Sequence, residues 1–192
     1  NLFDKYLQIS DEILNKVNNY IQKNFENEKV LGIHFRGGDQ KTANNHPFPI
    51  TKTQMFNKVK NLLQNNNFTK IFISTESIDN FNFLKKSFGD KVIYYNSYRS
   101  KTNAYIENPR LNHRENLGEE ILIEAILLSK TNYFVCGNSN VSEFIKILRQ
   151  NDHKESLELR NGTNSSNPIL ALFMFKIKSL LPGFLGGFKN YI

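Results

Sequence analysis

The sequence predicts an α/β fold, a Rossmann-like parallel sheet with helices on both faces, and three observations predict it. Short apolar runs rich in β-branched and aromatic residues recur as VLGIHF, KIFIST, KVIYYN and NYFVCG. Between them lie segments whose apolar residues return at three- and four-residue steps, the spacing of one helix face. The two patterns alternate along the chain, the order in which crossover helices connect parallel strands.

Residues 4–24 read as an amphipathic helix, because Tyr6, Leu7, Ile13, Val17, Tyr20 and Ile21 fall on one side. VLGIHF follows as the first strand. A polar stretch containing the helix breakers Pro47 and Pro49 then precedes a helix whose Met55, Val59, Leu62 and Leu63 share a face. KIFIST is the second strand, residues 79–87 the third helix through Phe81, Leu84 and Phe88, and KVIYYN the third strand. The 15 residues NSYRSKTNAYIENPR break the rhythm, and an interruption of that length in a compact domain is a binding or lid loop or a locally disordered segment. EEILIEAILLSK is a long helix, NYFVCG the fourth strand and VSEFIKILRQ a further helix. Residues 1–150 are therefore assigned to one Rossmann-like domain. In 151–192, NDHKESLELRNGTNSSNP is expected to be a polar surface loop. ILALFMFKIKSLLPGFLGG is expected to be a helical tail that packs on the domain, on another domain or on a membrane.

Composition narrows the classes of function. A chain of 192 residues with 39% hydrophobic content can build the core of one domain. The single cysteine, Cys136, cannot form an intrachain disulfide and reads as a core residue. The net charge of +7 favours an anionic partner, but the lysines are spread over helix faces rather than gathered in a stripe, so nucleic acid is not expected. The four histidines are too scattered for a zinc site. The tail is too short and too charged to span a bilayer, which leaves an interfacial helix as the membrane reading and packing on protein as the other. The chain begins at Asn1 with no signal-peptide pattern and is expected to be part of something longer.

In an open parallel sheet, ligands sit beyond the carboxyl ends of the strands. After the first strand come His34, Arg36, Gly37, Gly38 and Asp39; after the second, Ser74, Thr75, Glu76 and Ser77; after the fourth, Asn138, Ser139, Asn140, Val141 and Ser142. Arg36 offers a planar donor fork suited to phosphate oxygens, and Gly37 and Gly38 let the backbone approach a bulky ligand. The GNSNVS segment opens a helix, whose free amides favour an anion. Each feature has a structural reading beside the functional one. His34 can be a satisfied core histidine, Arg36 and Asp39 a turn-stabilising ion pair, Asn138 and Ser142 helix caps, and Glu76 a helix-start charge. Three polar turns at the same end of their strands favour an anion-binding crevice.

These residues also carry a resemblance. GIHFRGGD resembles the first motif of the fucosyltransferases related to nodulation protein Z and the core α-1,6-fucosyltransferases, an HxR followed by an aspartate. IFISTES resembles their second, a strand ending in ATD. ILIEAILLSKTNYFVCGNSNVSEF is similar to their third, an acidic residue on a helix before LLS, a strand ending near cysteine and a serine-containing turn. HxRxGD and the NSxxS turn are also similar to the α-1,2-fucosyltransferases. The resemblance covers roughly residues 29–150.

It implies the C-terminal, donor-binding half of a GT-B architecture, with GDP-fucose as donor substrate, no cofactor and no metal. Arg36 and His34 would hold the β-phosphate, with Ser139, Asn140 and Val141 on the opposite side. Glu124 would stand near the guanine, and Glu76 matches the acid of the ATD segment. Where the core fucosyltransferases carry a lysine and a glutamate after the aspartate, this chain has Gln40 and Asn44. The catalytic base is thereby left open: Asp39 is the nearest carboxylate, and a further domain or another loop is the alternative source. The implied function is metal-independent inverting transfer of fucose to a glycan acceptor; the alternative is a domain that binds a nucleotide sugar without turning it over. The motifs leave acceptor, linkage and oligomeric state open. The implied location is the cytoplasm or the membrane periphery in a bacterium and the secretory lumen in a eukaryote.

Overall fold

The computed structural model describes residues 8–37, 43–150 and 154–189. Its elements are α1 (Asp11–Asn24), β1 (Val30–His34), α2 (Lys52–Asn65), β2 (Lys70–Ser74), α3 (Ile78–Phe88), β3 (Val92–Ile93), α4 (His113–Lys130), β4 (Tyr133–Gly137), α5 (Asn140–Gln150), β5 (Ser156–Leu159) and α6 (Pro168–Leu180). The five strands form one sheet in the order β3-β2-β1-β4-β5, and every pairing is parallel. This is the predicted α/β class. The chain runs outward from β1 to β3, then returns to place β4 on the other side of β1, which makes the β1/β4 junction the switch point of the sheet.

Helices cover both faces, and β1, at the centre, is buried along its whole length. Leu31, Ile33, Ile71, Ile73 and Val135 meet Met55, Val59, Leu62 and Leu84 from α2 and α3. On the other face Val30, Phe72, Phe134 and Cys136 meet Val17, Ile123, Leu127 and Ile145 from α1, α4 and α5. The alternation of the strand side chains between two apolar layers explains why these strands read as continuous hydrophobic runs. Gly32 is required by the closeness of α4, since a Cβ there would lie 2.5 Å from Thr131 Oγ1.

Several boundaries differ from the sequence expectation, each for a local reason. The first helix begins at Asp11, where the Ser10 side chain accepts the Ile13 N–H; residues 1–7 lie outside the described residues. The third strand is only two residues long, because Tyr94 and Tyr95 leave the ladder to pack edge-on against Phe81 and Tyr20. The long helix starts six residues earlier than EEILIEAILLSK, at His113, after Asn112 in the left-handed region at φ 51°. The stretch expected as a surface loop contributes β5, with Cys136 paired to Glu158 and Gly137 to Leu159.

The junction between α4, α5 and β5 is fastened by Arg149, which is almost fully buried. Its guanidinium donates to the carbonyls of Leu128 (3.0 Å) and Thr131 (2.9 Å) at the end of α4 and of Glu155 (2.7 Å) just before β5, tying the two together.

Candidate functional site

The carboxyl ends of β1 and β2 open into a cavity of about 640 Å³. Arg36 and Gly37 reach it from the turn after β1, and Glu76 and Ser77 from the turn after β2. Thr51, Lys52 and Thr53 line it at the start of α2, where Thr51 closes a capping box with Gln54. Lys101, Thr102, Asn103 and Tyr105 line it from the long loop, and Phe175 and Ser179 from α6. The size is that of a small-molecule site.

Local bonding fixes these walls. Gly37 N–H donates to Glu76 Oε1 at 2.6 Å, and a Cβ on residue 37 would stand 2.7 Å from that oxygen, so the approach depends on glycine. The Arg36 guanidinium lies 6.0 Å from the Tyr105 ring centroid, a cation–π distance. The long loop is tied to the extension of β2: Ser100 N–H donates to the Glu76 carbonyl at 2.8 Å, and Ile78 N–H to the Ser100 carbonyl at 2.9 Å. Glu107 gathers the rest of it, accepting hydrogen bonds from the Tyr98, Ser100 and Thr102 hydroxyls. Those donors hold its carboxyl low, at about 2, so it is ionised throughout the physiological range. The loop expected as a binding or lid element is therefore one wall of the cavity.

Behind the cavity lies a small recess of about 30 Å³, lined in part by His34, Thr75, Glu76, Glu124 and Val141. His34 is buried, with Nδ1 2.9 Å from Ser142 Oγ, and Ser142 Oγ is 2.9 Å from Ser139 Oγ. Burial, with the nearby Arg36 charge, pushes the imidazole down to about 4, so it is neutral at neutral pH. It links the end of β1 to the start of α5 and brings no positive charge to an anion.

Glu124 is also buried. It accepts from Ser74 Oγ at 2.6 Å and Ser97 Oγ at 2.5 Å, with Arg99 Nη2 at 3.4 Å. Burial pushes it up to about 7, while the two hydroxyls and Arg99 pull the other way. Arg99 in turn packs over the Phe81 ring, 4.4 Å from its centroid. Glu124 thus sits within a closed polar network beside the recess.

The structure brings Arg36, Gly37 and Glu76 together in the large cavity and His34, Thr75, Glu124 and Val141 around the recess. Of the residues after β4, Val141 alone lines either, and it reaches the recess, not the large cavity. Asn138 donates to Glu158 Oε1 at 3.1 Å, Ser139 accepts the Ser142 N–H at 3.1 Å as the helix cap, and Asn140 is exposed at the start of α5. Gly38 and Asp39 lie outside the described residues. Lys52, Lys101, Tyr105 and Phe175 were not among the sequence candidates. For Lys101 and Tyr105 the signal was the length of their loop; Lys52 and Phe175 follow no motif.

No protein-family model matches the sequence, and no curated protein matches it. Solved structures do. NodZ α-1,6-fucosyltransferase co-crystallised with GDP aligns with a TM-score of 0.53 at 15% identity, over 77% of this chain and 44% of that one. Fucosyltransferase NodZ from Bradyrhizobium gives 0.52 at 13% identity, over 77% and 45%. POFUT1 in complex with GDP-fucose gives 0.51 at 15% identity, over 81% and 48%. The chain thus spans less than half the length of these structures. What it shares with the fucosyltransferases NodZ and POFUT1 is its architecture, a Rossmann-like parallel sheet flanked by helices.

Proposed function

We propose that this chain is the donor-binding part of a metal-independent, inverting fucosyltransferase that takes fucose from GDP-fucose to a glycan acceptor. One observation carries the reading: Arg36 stands in the wall of a nucleotide-sized cavity at the carboxyl ends of β1 and β2, in a fold shared with structures that were crystallised with GDP and GDP-fucose.

In this reading Arg36 takes the diphosphate through paired N–H donors. Lys52 and Lys101 add positive charge from two other walls. The guanine edge, expected at Glu124, is instead given to Glu76: the Glu124 oxygens are taken by Ser74, Ser97 and Arg99, whereas the Glu76 carboxylate lines the cavity and suits adjacent N–H donors. As the bond between the sugar C1 and the phosphate oxygen breaks, its electron pair goes to GDP, and a fixed guanidinium stabilises the charge that develops there. The acceptor oxygen forms the new bond to C1 from the opposite face and gives up its proton to a base, the role proposed for Asp39. His34, Ser139 and Ser142 act as supports that position the end of β1, and Asn140 and Val141 present the start of α5 toward the same end of the sheet.

Calorimetric titration with GDP, GDP-fucose, GDP-mannose and UDP, together with GDP release from GDP-fucose in the presence of a glycan mixture, tests the reading. Preference for GDP-fucose with turnover supports it. Tight binding without release by the intact protein supports the non-catalytic alternative, and equal, weak binding of all four overturns both.

A further inference from the structure

Eight of the twelve exposed large apolar side chains among the described residues lie between Ile169 and Leu185, each 50–83% exposed. On α6 they form one stripe. At 100° per residue, Ile169, Leu170, Leu172, Phe173, Ile177 and Leu180 fall within about 160° of arc. The opposite side is spoken for: Ala171 is buried against Asn164, Phe175 lies against Phe188, and Lys178 packs over Phe48 and Phe188 while donating to the Gly186 carbonyl. Phe184 and Leu185, in the turn just past the helix end, are exposed as well.

Charge identifies what covers this face. From Leu159 to Ile192 the chain has no Asp or Glu, and its charged residues are Arg160, Lys176, Lys178 and Lys189. Lys176 is exposed in the middle of the apolar arc. The core of a protein interface is depleted in lysine. A lysine in that position suits a lipid surface, since its stem lies along apolar groups while the ammonium reaches back to phosphates. Among the described residues no helix is long and apolar enough to cross a membrane.

We infer that α6 and the Phe184–Leu185 turn dock this protein on an anionic bilayer, lying in the interface with Lys176 at the headgroups. Because Phe175 from the far side of the same helix and Ser179 from the edge of the stripe line the cavity, the cavity then lies within a helix diameter, ~10 Å, of the lipid. Resting on the donor reading above, the acceptor class is a membrane-borne glycan.

Flotation of the intact protein with phosphatidylcholine vesicles, alone or mixed with phosphatidylserine, tests the docking without any donor. The expected result is binding to the mixed vesicles that weakens at high salt, is lost in the Phe173→Ser/Phe184→Ser variant and falls roughly tenfold in Lys176→Glu. GDP affinity measured in solution should be unchanged in both variants, which separates failure of the docking face from failure of the donor site. Equal binding to both vesicle types, equal binding by wild type and the double variant, or no vesicle binding with self-association that the double variant abolishes would each overturn the inference.

Discussion

Glu76 Oε1 accepts the Gly37 N–H at 2.6 Å, and through this bond the turns leaving β1 and β2 become one wall of the cavity. The bond sets where the backbone next to Arg36 runs. It also orients a carboxylate that the proposed function assigns to the nucleotide base.

Gly37→Ala tests that wall. The new Cβ would lie 2.7 Å from Glu76 Oε1 and 3.3 Å from Ser77 Cβ, so the carboxylate must move and the hydrogen bond lengthens or breaks. Titration should show GDP affinity reduced roughly tenfold, with a stability loss of about 1–3 kcal/mol in urea denaturation. Unchanged affinity would separate the Glu76 bond from the binding site.

Glu107→Gln tests the loop wall. The variant keeps the shape but loses the charge that draws in three hydroxyls. Limited proteolysis should cut faster between Ser97 and Glu107, and GDP should bind roughly fivefold more weakly through displacement of Lys101 and Tyr105. Faster cleavage with wild-type affinity would show the loop to be a structural cover only.

Two buried groups should make stability nearly independent of pH across a window where one alone would not. His34 falls from 6.5 to about 4 in the folded state. The stability it confers is therefore complete above 6.5 and lost as pH drops toward 4, about 3 kcal/mol in all. Glu124 rises from 4.5 to about 7, so its contribution is complete below 4.5 and lost as pH climbs toward 7, by a similar amount. The slopes cancel between 4.5 and 6.5. Denaturant midpoints of the wild type should be flat there, whereas Glu124→Gln should lose stability on acidification through that window. A flat profile for the variant as well would contradict the burial assigned to His34.

Arg149→Met should destabilise the fold by roughly 2–4 kcal/mol without touching the cavity, because it removes the charged donor shared by the carbonyls of Leu128, Thr131 and Glu155, of which Leu128 keeps the Thr131 hydroxyl and Glu155 the Phe134 N–H. Thermal unfolding should show the loss while GDP affinity of the folded fraction stays the same. Cys136, fully buried with its thiol pushed up to about 11, should react with a thiol reagent only at the rate of unfolding, and hence faster in this variant.

The central strands and their helices were legible because buried parallel strands and amphipathic helices leave period and composition in the sequence. β5 was not. SLEL has two apolar residues and sits at the sheet edge, where burial on both faces is not needed. β3 was read too long because Tyr94 and Tyr95 have strand-like chemistry but pack side-on against neighbouring rings. Within the site, Arg36, Gly37 and Glu76 could be found from their position after strands. Lys52, Lys101 and Phe175 come from a helix start, a loop and a tail, and only tertiary packing gathers them. His34 and Glu124 were legible as special positions, but their burial is a property of the assembled layers.

The most direct test is calorimetric titration of GDP into wild type and Arg36→Ala under one salt condition. The variant should fold normally and bind GDP roughly ten- to a hundredfold more weakly, the loss of a charge-assisted pair of hydrogen bonds. Wild-type affinity in the alanine variant would contradict the role given to Arg36.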